Sequence, residues 1–176
     1  MLNFIRWLFK GHLQTQRIEC CSEQVIVADL NRLLRELCAR LNRGSLNYSV
    51  DIALFGSPKT AGLSAKEIVT AALGNTATVG NTYSVTIAEI IEEVTKGINF
   101  CGDDGSHPNC NCLTSSSFQE MSTEILQKLR LFLSNADMVM GVWLNEGHPF
   151  YPVFWDFAFI VEHGLDAHLL VASSSD

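Results

Sequence analysis

The sequence predicts an α+β fold: one domain over residues 1–176, with helices packed on one face of a largely antiparallel sheet that ends in a C-terminal three-stranded meander. Three observations lead there. The chain has 176 residues, 47% apolar and 18% charged, and a chain of that size buries about 70% of its unfolded surface around one core. Capped stripes at helical spacing fill most of the chain up to residue 135. After that, three apolar, β-branched and aromatic runs follow one another across short turns, which gives antiparallel neighbours.

Taken in order, residues 1–17 form a short N-terminal amphipathic segment, with Leu2, Phe4, Ile5, Leu8 and Phe9 on one face. It lacks a basic leader and a small-residue cleavage site, and Arg6 interrupts the apolar run, so a signal peptide is not expected. No stretch approaches the roughly 20 apolar residues that span a bilayer. Ser22 can cap a helix carrying Ile26, Leu30, Leu33, Leu34, Leu37 and Leu41, and Gly44 stands where it should stop. Tyr48 to Phe55 alternates as a half-buried strand does.

Ser64 and Glu67 have capping-box spacing and open a short helix to Leu73. Thr76–Val79 and Thr82–Val85 flank Gly80-Asn81 and predict a small hairpin. Thr86 and Glu89 open a helix that Gly97 should end, and Ser116 and Gln119 open another, striped by Phe118, Met121, Ile125, Leu129 and Phe132. The meander strands are Met138–Leu144, Val153–Val161 and Ala167–Ala172.

Charge narrows the function classes. The net charge is −7, but residues 1–43 carry seven Lys/Arg against four Asp/Glu, a balance of +3, and the remainder carries five against fifteen, a balance of −10. An acidic body is a poor nucleic-acid binder, because duplex affinity comes from neutralising phosphates; it attracts basic protein partners instead. The six cysteines are even in number, yet without a leader segment the reducing cytoplasm is the expected compartment. Cys38 falls on a helix stripe and reads as a small buried hydrophobe.

Three places could carry chemistry. Cys101, His107, Cys110 and Cys112 supply the donors of a Cys3His zinc shell from one loop. The single residue between Cys110 and Cys112 is tighter than the usual ligand spacing, so incidental thiols on an exposed loop are the preferred reading, with zinc and a redox role beside it. No cofactor is required, and zinc is the one ion this donor set would suit. Asp103 and Asp104 read as turn formers.

Lys59, in the Gly56–Gly62 loop between a strand and a capped helix, could face an anion, although the loop lacks the phosphate-loop triplet. Finally, Trp143, Phe154, Trp155 and Asp156 lie in the aromatic C-terminal part, where aromatic residues are either core or interface anchors. Strand parity places Asp156 with Phe154, Ala158 and Ile160, and places His168 on the opposite, Phe159 face. His148 and His163 fall in turns and are expected to be solvated.

No nucleophile elbow, zinc-protease helix, dinucleotide fingerprint or kinase set is present. The sequence therefore predicts a non-catalytic cytoplasmic partner-binding protein, in concrete form an acidic inhibitor or immunity-type protein acting on a basic partner. The alternatives are a small zinc-stabilised or metal-dependent enzyme or ligand-binding domain built on the Cys101–Cys112 loop, and a domain binding anionic or phosphate ligands at Gly56–Gly62. Oligomeric state is not set by the sequence.

Overall fold

A computed structural model describes residues 24–175 of the chain. The amphipathic segment 1–17, the cap at Ser22, and Cys20 and Cys21 lie outside the described residues. Helix α1 covers residues 24–42, and Gly44 follows it at φ +78°, the left-handed conformation that ends helices. Then come β1 (Ser49–Ser57), α2 (Ala65–Leu73), β2 (Thr78–Ser84), α3 (Ile87–Ile98), the one-turn α4 (Cys110–Leu113), α5 (Ser116–Ser134), β3 (Met138–Glu146), β4 (Trp155–His163) and β5 (Asp166–Ser175).

The five strands of the described residues form one antiparallel sheet in the order β1-β5-β4-β3-β2, so β4 is central, the C-terminal β5 lies between it and β1, and the meander β3-β4-β5 supplies the middle. One face carries Val50, Ile52, Leu54, Phe157, Phe159, Val161, Leu170 and Ala172, and packs on the apolar stripes of α1, α3 and α5. This is the expected helical layer. The other face carries Val142, Ala158, Ile160, Leu169 and Val171, and the short α2 covers part of it with Ile68 and Val69. Burial of each such side chain contributes about 1.5–3 kcal/mol, which makes the double-sided centre of the sheet its best-secured part.

The capping boxes at Ser64/Glu67 and Thr86/Glu89 are both formed, each hydroxyl accepting the N3 backbone N–H while the glutamate accepts from the cap residue. At α5 the cap is one residue earlier than the sequence pattern implies. Ser115 Oγ accepts the Phe118 N–H at 3.3 Å, and the Gln119 amide reaches back to the Leu113 carbonyl at 2.8 Å. Gly97 does not end α3; it lies inside the last turn because the Trp155 ring fills the space of its missing side chain, 2.9 Å from where a Cβ would stand.

The hairpin expected around Gly80-Asn81 is absent. A single strand, β2, runs through both residues and pairs with β3. Gly80 sits at a bulge in that pairing, where the Asn145 side chain comes within 2.2 Å of an added Cβ; it serves close approach and not a turn. Two four-residue strands would have had no apolar face to bury, whereas one strand against β3 places Val79 on the α2-side core.

The two sheet edges are treated differently. Along β1, Asn31 accepts the Leu54 N–H (2.9 Å) and donates to the Leu54 carbonyl (2.8 Å), and Asn42 does the same for Val50 (2.8 and 3.0 Å). Between them on α1 lies Cys38, whose thiol burial pushes up to about 12. Helix α1 therefore stands in for a sixth strand. Among the described residues no side chain does this for β2, five of whose seven residues, Gly80–Ser84, are exposed.

Candidate functional site

Strands β3 and β4 remain paired only from Met138/Glu162 to Gly141/Phe159. Beyond that point Val142–Glu146 pairs with β2 alone, and Trp155–Ala158 pairs with β5 alone, so the sheet forks. The fork gathers three of the predicted binding residues. Trp143 stands on one arm, 60% exposed, with its ring 6.2 Å from that of Tyr83 on β2. Trp155 and Asp156 stand on the other, Asp156 exposed and Trp155 stacked on Phe157 at 5.8 Å.

Tyr83 is the residue that sequence reasoning missed. Its ring lies over Gly141, whose absent side chain leaves the room: an added Cβ would come within 2.2 Å of the ring. Burial raises the Tyr83 phenol above its ordinary range, and the negative charges of Glu93 on α3 and Asp156 raise it further. The fork is thus an acidic setting around two aromatic rings. Only a glycine directly across an unrecognised strand pair could have signalled it.

Phe154 lies just beyond the outer end of the same arm but faces the helical layer, with Tyr48 and Phe100 at 6.1 and 5.9 Å. It precedes the regular part of β4, so strand parity does not govern it; Asp156, Ala158 and Ile160 do share the α2-side face as expected. Burial raises the Tyr48 phenol, and the Ser174 hydroxyl and Trp155 indole N–H that face it counter part of that rise. His168 pairs in register with Val161, on the Phe159 face and away from Asp156. His163 is buried and not solvated, its ring 4.5 Å from Phe132.

Lys59 is remote from the fork. It takes a left-handed φ of +58°, and its backbone N–H donates to Asp166 Oδ1 at 2.9 Å. The Ala61 N–H goes to the Leu165 carbonyl (3.2 Å), the Gly62 N–H to Glu162 Oε2 (3.0 Å) and the Leu63 N–H to the Thr60 carbonyl (3.1 Å). These four donors are already accepted, two of them by carboxylates that would repel an anion.

The cysteine loop is folded around its backbone. Asp103 Oδ1 accepts the Gly105 and Ser106 N–H groups, both at 2.8 Å, and Leu46 and His107 exchange backbone hydrogen bonds at 3.0 and 2.9 Å. His107 Nδ1 comes 3.6 Å from Cys110 Sγ and 2.8 Å from the Pro108 carbonyl. Cys101 is exposed beside the Asn99 carbonyl, and Cys112 is half-buried against the helical core. Among the described residues no three His, Cys, Asp or Glu side chains are grouped to hold a metal ion. Nor is any described helix long and apolar enough to cross a membrane.

Compared with protein-family models, curated proteins and solved structures, this chain matches none.

Proposed function

We propose that this chain is a non-catalytic partner-binding protein that receives a basic protein at the fork between β3 and β4. The observation that carries the reading is Trp143: a large indole held 60% in water against the ring of Tyr83, whose phenol is raised by burial and then by the negative charges of Glu93 and Asp156. Exposed aromatics anchor interfaces, and acidic surroundings favour Lys and Arg through charge and through cation–π contact with the rings. The concrete form is an inhibitor that occludes a basic partner in the reducing cytoplasm, where the exposed Cys101 and Cys110 stay as thiols.

Capture from cell extract tests the reading. The full chain as bait retains basic proteins at low salt and releases them at high salt, because the attraction is screened within about 8–10 Å. Trp143→Ala, which alters an exposed side chain and leaves the fold intact, loses those proteins. Retention of the same proteins by wild-type and Trp143→Ala baits at every salt concentration contradicts it.

A further inference from the structure

We propose that the outer edge of β2, over Asn81–Ser84, takes up an extended basic segment of the partner as a sixth strand of the sheet. The proposal deepens the partner-binding reading and rests on it.

The two edges of the sheet make the case. A free strand edge presents a row of unpaired N–H and C=O groups, and proteins blunt it with charge, proline, bulges or a covering element. On β1 two outward positions, Val50 and Leu54, have both backbone groups met, by Asn42 and Asn31. On β2 no described residue supplies such a cover. The strand Thr78-Val-Gly-Asn-Thr-Tyr-Ser84 contains no charge and no proline. Its bulge lies at the Thr78–Asn81 end and leaves Asn81–Ser84 in regular register with β3.

Charge selects the occupant. Glu146 stands opposite Thr78, and the charges of Glu93 on α3 and of Asp156 on β4 reach the Tyr83 ring. On α3, Lys96 is held by Glu92 and Glu93 at 2.9 and 3.0 Å. A strand added here would place alternate side chains beside Tyr83, and Lys or Arg at those positions meets both the carboxylates and the aromatic face. A second copy of this chain would instead bring two sets of the same carboxylates together, which charge opposes.

The probe is an end-capped octapeptide alternating lysine and valine, added to the full chain. Binding is followed by hydrogen–deuterium exchange over residues 78–84 and by tryptophan fluorescence. The expected result is slowed exchange in β2, and at least tenfold weaker binding for the same peptide N-methylated at every residue, which keeps its side chains and charge but cannot form the ladder. If the methylated peptide binds as well as the parent, strand addition is overturned while basic-partner binding stands. If neither peptide binds and glutamate–valine does, both readings fall. If β2 is protected without peptide, in proportion to protein concentration, a second copy is the occupant and the proposal is overturned. Absence of binding by all three peptides, with β2 exchanging freely, also overturns it.

Discussion

Asn31 and Asn42 are polar residues on a helix that otherwise serves the core, and their removal measures what sealing the β1 edge is worth. They lie eleven residues apart, three helical turns or about 16 Å, on one side of α1. Their targets Val50 and Leu54 lie about 13 Å apart along β1, in the opposite chain direction. Each amide satisfies one N–H and one C=O on a part-buried edge.

Truncation to alanine leaves both groups unpaired. A buried unpaired group costs about 1–3 kcal/mol, and the lower end applies here because water reaches a part-buried edge; each site therefore loses about 2 kcal/mol. The better helix propensity of alanine returns about 0.5 kcal/mol, leaving a net loss of about 1.5 kcal/mol per site. The sites are too far apart to couple, so the pair loses about 3 kcal/mol, a fall of about 6–12 °C in Tm for a chain of this length. Urea unfolding and calorimetry of Asn31→Ala, Asn42→Ala and the double variant check this. The double variant should also associate with rising concentration, because β1 is then an open edge. A loss below about 1 kcal/mol in the double variant refutes the sealing role.

Much of this was legible in the sequence, for reasons that separate local from distant determinants. Ser64/Glu67 and Thr86/Glu89 announce their helices because a capping box is complete within four residues. The meander is legible from its contiguous apolar runs, and the face of His168 follows from a two-residue turn at Gly164-Leu165. What depends on residues far away in sequence was hidden. Gly80 and Gly97 look like turn and stop signals, yet Asn145 and Trp155 decide both. The same holds for the candidate site: Trp143 and Asp156 stood out by composition, but Tyr83 joined them only once β2 was seen to pair with β3. The cover of β1 by Asn31 and Asn42 uses two residues that a helical pattern treats as solvent-facing.

Thiol alkylation of the folded chain, followed by mass spectrometry, should label Cys101 and Cys110 and spare Cys38, whose buried thiol is pushed up to about 12; labelling of Cys38 at the same rate as Cys110 contradicts its burial. The carboxyls of Glu67 and Glu89 are held below their ordinary 4.5 by their cap residues: Glu67 chiefly by the Ser64 hydroxyl, Glu89 chiefly by the Thr86 backbone N–H. A lowered folded-state value stabilises above pH 4.5 and is lost as pH falls through it. Glu67→Gln/Glu89→Gln should therefore show a smaller drop in Tm between pH 7 and pH 3 than the wild type, and an equal drop contradicts the caps. Because Asp103 and the Leu46–His107 pair hold the cysteine loop, Asp103→Ala should cost about 1 kcal/mol, whereas chelation by EDTA leaves Tm unchanged. A clear fall in Tm with EDTA would instead point to a structural metal ion.

A footprint of a captured basic partner tests most directly whether the acidic, aromatic fork is the binding face. Hydrogen–deuterium exchange of the full chain with that partner should show protection over β2, over Gly141–Glu146 on β3 and over Trp155–Phe157 on β4, with the Gly56–Gly62 loop unchanged. Protection confined to that loop, to the Cys101–Cys112 segment or to the outer face of α5, with the fork exchanging as in the free chain, would contradict it.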